Sequence, residues 1–395
     1  MKVVWLCHFA NQEVKDYFNT PDVKESAPWI NNLIELFRIQ PGVDLHIVAP
    51  NNFTNTTTII SKAGVTYHFY AIRSKWLPAK VNSVKNKLFD ADYSAIQARI
   101  SRIIEEIKPD IIHLHGAENP YYSSGILPLI GKYPILLTIQ GFARNSVIKT
   151  RQIKQCMKFE EEIIKKIENI GVRTTEMREI ALSLNPGATL HFHNYPVTIP
   201  KVVKQNKSKY DIIFFARVCK DKGIEDLLKA VALLKKDKKD ISLHIIGSIS
   251  KFYKPHLNRL IKSLSLEPNV VMVGFMQNQP DIFKYAIDAE ISVLPTYHDI
   301  IPGTIIESMF MKLPVVAYAI GGIPELNSKV ETILLVEKQN IPQLAEKIMQ
   351  LLNNEVLRKT LSEVAYSYVN ELVDNTKVVS DIKKAYNSIL NKVVE

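Results

Sequence analysis

Glycine is scarce in this 395-residue chain, with only 14, about half the usual share of ~7%. A glycine at a tight motif therefore carries more information here than it would elsewhere. Cysteine is scarcer still: Cys7, Cys156 and Cys219 stand far apart, with no CxxC and no Cys/His cluster. That excludes a disulfide framework and a structural zinc site and suits a reducing compartment. No apolar run approaches the ~20 residues needed to cross a bilayer. The opening run, Met1 to Ala10, is too short for a signal peptide and leads into Asn11, Gln12 and Glu13 instead of a small-residue cleavage site. It reads as a buried first strand over about residues 2–7, and the protein is expected to be cytoplasmic. In such a chain the sequons at Asn52 and Asn55 carry little meaning.

What is present is the balance of a folded soluble protein, 46% apolar and 23% charged, which excludes disordered, collagenous and coiled-coil chains. The length calls for about two or three domains. The formal net charge of +10 asks for an anionic partner or a solvated surface.

Short β-branched runs alternate with amphipathic segments, the rhythm of βαβ units and a parallel sheet. In the first half, strands are expected at Val43–Ala49, Val65–Ala71, Asp110–Leu114 and Ile135–Ile139. Tyr93–Ile107 carries Ile96, Ile100, Ile103, Ile104 and Ile107 on one helical face. Residues 197–209, polar and lysine-rich after Pro196, read as a linker. The rhythm then restarts with strands at Asp211–Ala216, Ser242–Gly247, Val270–Gly274, Ile291–Leu294, Val315–Tyr318 and Thr332–Val336 and a helix over Ile224–Lys235. The expected architecture is α/β: two facing Rossmann-like domains with an interdomain ligand cleft. Their bounds are 1–196 and 210–370, and a terminal helix, 371–395, packs back on the first.

Two segments of the second half carry chemistry. In Phe215-Ala-Arg-Val-Cys-Lys-Asp-Lys-Gly, Arg217 ends a strand and Lys222-Gly223 open a helix. A guanidinium fork and an ammonium at the carboxyl edge of one sheet suit a diphosphate; isolated surface cations are the bland alternative. In Pro295-Thr-Tyr-His-Asp-Ile-Ile-Pro-Gly-Thr-Ile-Ile-Glu, a Pro302-Gly303 turn enters a helix whose first N–H groups, at Gly303, Thr304 and Ile305, form an anion site. Asp299 and Glu307, eight positions apart, are placed to face one ligand. An ordinary capped helix with a solvated Glu307 is the competing reading.

These segments resemble the donor-binding domain of family 4, group 1 nucleotide-sugar glycosyltransferases, which have the GT-B fold of two Rossmann-like domains. Arg217 with Lys222-Gly223 is similar to the family's pyrophosphate-gripping pair, and Asp299 to Glu307 to its paired-acid motif. Leu313-Pro-Val-Val-Ala and Gly321-Gly-Ile-Pro-Glu are similar to the strand and turn that follow. The resemblance implies that Glu307 holds ribose hydroxyls, that the backbone at Gly303–Ile305 touches the phosphates, that Asp299 bonds the transferred sugar, and that Gly274-Phe275-Met276 borders the base. It implies a hexosyltransferase-like enzyme acting with retention, on a nucleotide-sugar donor and a sugar or lipid-linked glycan acceptor. The context it implies is bacterial surface polysaccharide assembly: capsule, lipopolysaccharide or exopolysaccharide. Departures are the shorter Asp299 where Glu is commoner, Ile300-Ile301 for Gly-Phe, and Ala216 for Gly.

In the first half, Lys108-Pro-Asp-Ile-Ile-His-Leu-His-Gly resembles the family's acceptor-domain motif. Gln140, in Leu137-Thr-Ile-Gln-Gly-Phe, stands where the family has histidine, and the glycine-rich loop after the first strand is missing. Gln140 can only hydrogen-bond. His115 is a catalytic candidate beside a structural reading, with Glu118 next to it; His8 is a further candidate. His113 is expected to be structural and to point away from His115. His191 and His193 have the spacing of a metal pair without a third ligand, so strand packing is favoured. Asp90-Ala-Asp92 reads as a helix cap. No metal and no other cofactor is expected, because Arg217, Lys222 and the helix dipole supply the positive charge. Competing functions are a nucleotide-sugar epimerase of the same fold and a non-catalytic sugar-binding protein. Nucleic acid is not expected, since no aromatic-interleaved basic motif occurs. Lys80, Lys85 and Lys87 with Trp76 and Leu77 are expected to give peripheral contact with an anionic membrane, at the inner face of the plasma membrane.

Overall fold

The computed structural model describes residues 1–20, 27–51, 56–72, 92–145, 150–202 and 208–394. The Lys80–Lys87 cluster, the sequons and Asp90 lie outside them. The chain divides into two compact units, Met1–Pro196 with Asn375–Glu395, and Val197–Asp374. The segment read as a linker therefore begins the second unit, and the terminal helix returns to the first.

Among the described residues the first unit has eight strands: β1 (Lys2–Leu6), β2 (Asp44–Asn51), β3 (Thr58–Lys62), β4 (Val65–Ala71), β5 (Ile111–His115), β6 (Ile135–Thr138), β7 (Asn169–Val172) and β8 (Thr189–Phe192). They lie in the order β3-β4-β2-β1-β5-β6-β7-β8, parallel except for the β3–β4 hairpin. Helix Ser94–Ile107 buries all five isoleucines of its apolar face. It ends at Lys108, whose φ of 53° is left-handed, and Pro109 bars continuation. The helix's N-cap is Tyr93 and carries no side-chain cap bond, so Asp92 is not the N-cap expected; it stands one residue earlier and accepts a hydrogen bond from the Ser94 N–H. Helix Asn375–Val394 presses Val378, Val379, Ile382, Ala385, Tyr386 and Ile389 into the core of this unit, against Trp5 and Phe37.

Among the described residues the second unit has six strands: β9 (Tyr210–Phe215), β10 (Leu243–Ile246), β11 (Val270–Gly274), β12 (Ala289–Leu294), β13 (Val315–Tyr318) and β14 (Leu334–Val336). All pairs are parallel, in the order β11-β10-β9-β12-β13-β14. Strand β9 lies between β10 and β12, so the chain winds one way from β9 and the other way from β12. At such a switch the loops leaving the two strands part and open a crevice. In the first unit the same switch falls between β1 and β5. The sequence expectations set no range for β3, β7 or β8, although strand packing was favoured for His191, which lies in β8. No helix among the described residues is long and apolar enough to cross a membrane.

Candidate active site

In the second unit the loops leaving β9 and β12 carry the expected residues, and they are stitched together. The Tyr297 N–H donates to the Asp221 carbonyl at 2.8 Å, and the Thr296 hydroxyl lies 3.2 Å from the same oxygen. Gly223, at φ +72°, closes the contact: a Cβ there would lie 1.8 Å from the Pro295 carbonyl oxygen. Only glycine supplies both the dihedral and the clearance.

Within this frame Lys222 Nζ donates to Asp299 Oδ2, which the Thr296 hydroxyl also approaches, at 2.8 Å. The expected cation and the expected sugar-binding acid are therefore paired with each other. Both side chains are largely buried, and the pair lies at the mouth of the switch. Arg217 is exposed and makes no ion pair among the described residues. His298 lies 3.5 Å from Asp221. Its pKa is lowered because burial outweighs the attraction of Asp221 and Asp299, so the ring is neutral near pH 7.

Helix Gly303–Phe310 has Pro302 at its N-cap, and no side chain caps it. Gly303 is exposed, Thr304 half-buried and Ile305 buried, so the uncapped turn leaves the positive end of the helix open at Gly303. One turn in, Glu307 accepts a 2.6 Å hydrogen bond from Gln279 Nε2. Burial raises its pKa to about 7, against the opposing pull of that amide. An acid with no cation beside it is suited to receive neutral donors such as sugar hydroxyls. Phe275, after Gly274 at φ +95°, is half-exposed at 48%, in the loop between β11 and the helix that begins at Gln279.

The corresponding edge of the first unit differs. His115 ends β5 with none of its surface exposed. Its Nδ1 is 3.1 Å from the Tyr195 hydroxyl, and its ring packs on Trp5 and on His113, 3.8 Å away. That is the surrounding of the structural reading, not of a residue that touches substrate. The expectation for His113 is corrected: residues two apart on a strand share a face, so His113 and His115 lie side by side. His113 bonds the Tyr386 and Thr138 hydroxyls at 2.7 and 2.6 Å, and Thr138 meets His193 at 2.8 Å. Burial drives all three histidines below their usual pKa, His193 to about 3. His191 instead takes Asn169, at 3.1 Å, so the two members of the suspected metal pair have different partners.

Gln140 Nε2 donates to the Tyr195 hydroxyl at 3.4 Å, and Arg173 donates to the Gln140 carbonyl at 3.3 Å while its guanidinium lies 4.8 Å from the Tyr195 ring centre. Glu118 folds against Gly116, where a Cβ would come within 2.5 Å of its carboxylate. Burial raises its pKa to about 7, with Glu160 adding to the rise. His8 is exposed at the end of β1. Sequence reasoning missed Asp226, Gln279 and Tyr195, which have no local motif, and gave no role to Thr296, although it lies within the quoted segment three positions before Asp299.

Two parallel α/β units, with strand-end loops that join cations, acids and a bare helix terminus, define the fold of GT-B glycosyltransferases. Sucrose-phosphate synthase from Thermosynechococcus elongatus superposes with a TM-score of 0.75, over 99% of this chain and 100% of that one, at 16% identity. HepE of Anabaena, in complex with UDP, does so at 0.70 over 98% and 100%, at 12% identity. Both halves of the chain match glycosyltransferase family models: residues 198–368 match "Glycosyl transferases group 1" and residues 31–174 match "Glycosyl transferase 4-like". The capsular polysaccharide biosynthesis glycosyltransferase CapM of Staphylococcus aureus is 25% identical over 196 residues, 49% of this chain and half of CapM's own length.

Proposed function

We propose that this protein transfers a sugar from a nucleotide-sugar donor to an acceptor hydroxyl, and that the second unit binds the donor. The observation that carries the reading is the meeting of Arg217, Lys222–Asp299 and the uncapped Gly303 helix at one topological switch, with Glu307 a turn away. A diphosphate needs cations and N–H donors that a ribose does not, and a ribose needs an acceptor such as Glu307. The half-exposed Phe275 offers a face to the base. HepE, whose fold this chain shares, is described in complex with UDP, which makes uridine the first base to test.

In the reaction, the bond from the sugar's anomeric carbon to the diphosphate oxygen breaks, and its electron pair leaves with the diphosphate. The acceptor oxygen bonds that carbon and loses its proton. Arg217, Lys222 and the helix terminus stabilise the charge gathering on the leaving group, a preorganised electrostatic role. Asp299, held by Lys222 and Thr296, orients the sugar through its hydroxyls. In the retaining form of the reaction the acceptor attacks from the face the diphosphate leaves, and a donor phosphate oxygen takes the proton. No metal is required in this scheme. The first unit receives the acceptor, with Gln140 as a hydrogen-bonding group at a strand end.

CapM's capsular role favours a surface-polysaccharide acceptor, made at the cytoplasmic face of a membrane to which the +10 charge draws the protein. Binding to anionic vesicles that is no stronger than to neutral ones would remove the membrane part. Incubation with UDP-, GDP- and ADP-sugars and candidate acceptors tests the activity. A glycosylated product whose anomeric coupling matches the donor's supports the scheme; an inverted product refutes retention, and a new sugar nucleotide formed without acceptor refutes transfer.

A further inference from the structure

Beneath the donor site is a buried carboxylate that the scheme above does not use. Asp226 lies on helix Ile224–Leu234, one turn after Gly223, and is only 4% exposed. Its Oδ2 accepts hydrogen bonds from two tyrosines that arrive from different elements: Tyr297, in the loop after β12, at 2.8 Å, and Tyr318, the last residue of β13, at 2.9 Å. The two rings stack 6.2 Å apart, 13° from parallel. Lys229 Nζ is 3.9 Å from the other carboxylate oxygen.

A carboxylate taken this far out of water is costly unless its oxygens are satisfied, and charge-assisted bonds to two hydroxyls are among the stronger ones available. What they hold is informative. Tyr297 sits between Thr296, which grips Asp299, and His298, which faces Asp221. Its own N–H bonds the Asp221 carbonyl. Pinning the Tyr297 ring from below fixes the short segment on which Asp299 is carried.

We infer that Asp226 is a positioning residue: through Tyr297 and Tyr318 it sets where Asp299 stands against the transferred sugar. The inference rests on the donor-site reading. It assigns Asp226 no contact with substrate, and it separates two parts of the site. The Asp226 tether governs the sugar end; Arg217, the Gly303 terminus and Glu307 grip the nucleotide without it.

The test is a series of Asp226→Ala, Asp226→Asn, Tyr297→Phe and Tyr318→Phe, read by nucleoside diphosphate affinity, by turnover of the matched nucleotide sugar and by melting temperature. Both tyrosines bond one oxygen, which an asparagine amide still supplies, so Asp226→Asn is the conservative rescue. The expected result is a fall in kcat of about tenfold or more in Asp226→Ala, a smaller fall in each Phe variant, near-normal kcat in Asp226→Asn, and diphosphate affinity within about twofold of wild type throughout. Diphosphate affinity that falls together with kcat, or an Asp226→Asn variant as impaired as Asp226→Ala, overturns the inference. So does normal kcat in Tyr297→Phe and Tyr318→Phe together. If the wild-type protein binds no nucleoside diphosphate at all, it is the donor-site reading that fails, a different outcome from any of these.

Discussion

The two units share a parallel α/β architecture, and each turns its carboxyl-terminal strand ends to a topological switch, yet they fill those ends differently. Between β9 and β12 stand Arg217, exposed, an ion pair of Lys222 with Asp299, and an uncapped helix. Between β1 and β5 the neighbourhood of His115 is buried: a hydrogen-bonded chain runs from Trp5 and Tyr386 through His113 and Thr138 to His193, while His115 Nε2 and His193 Nδ1 have no partner among the described residues. One edge keeps charge available, while the other uses neutral polar groups to hold its own strands. The lesson is that the same strand-end position can serve ligand or fold, and that burial and partner type decide which.

The largest effect expected from breaking this contrast is at Arg217. Arg217→Ala should lower kcat/KM for the nucleotide sugar by about 10²–10³, the usual loss when a preorganised charge on a developing anion is removed. Steady-state kinetics with the matched donor checks it.

Next is a matched pair of substitutions, Glu307→Gln and Glu118→Gln, read by calorimetric titration and by melting temperature across pH. Both acids have folded pKa values near 7, above the ordinary value of 4.5. The folded state therefore keeps these protons more tightly, and the stability linked to them, full below pH 4.5, is lost as pH rises through about 7. A neutral amide escapes that loss, so both variants should melt higher than wild type at about pH 8, and the difference should shrink by about pH 5. Only Glu307→Gln should weaken donor binding, by roughly tenfold, the scale of one lost charge-assisted hydrogen bond. For the wild type, donor affinity should fall as pH drops through about 7, where Glu307 takes up its proton.

Thr138→Val bears on the other side of the contrast. It leaves His113 and His193 without the hydroxyl they share and should cost about 1–3 kcal/mol of stability, measured by denaturant unfolding, with diphosphate affinity unchanged. The smallest effect concerns Glu118→Gln, where donor affinity should stay within about twofold of wild type. A larger fall would mean that the first unit's acid also serves the nucleotide.

The second unit was the more legible in sequence because its chemistry is local. Arg217, Lys222 and Gly223 fall within seven positions, and Asp299 to Glu307 within one loop and the first turns of a helix. Under the proposed function, ligand contact would call for particular residue types at fixed spacing there. The strands with β-branched runs, such as Val270–Gly274 and Val315–Tyr318, were also plain. β3 was missed because the segment Thr-Ile-Ile-Ser-Lys is an exposed edge, and β7 and β8 because Asn169 and Gly171 in one and His191 in the other interrupt the β-branched run. The Asp226 tether was invisible for another reason: Tyr318 lies 92 positions away, and only the neighbouring of β9, β12 and β13 brings them together. The sequence left His115 between a catalytic and a structural role because a histidine beside a glycine at a strand end looks the same whether the space beside it is open or filled by Tyr195.

The central claim, that the second unit's switch binds the donor diphosphate, is tested most directly by titrating UDP, GDP and ADP into wild type, Arg217→Ala and Thr138→Val at one salt concentration. The account predicts that at least one of the three binds wild type, that Thr138→Val binds it equally well, and that Arg217→Ala binds it at least tenfold more weakly. Equal binding by wild type and Arg217→Ala, or binding lost in Thr138→Val while Arg217→Ala keeps it, would contradict the claim.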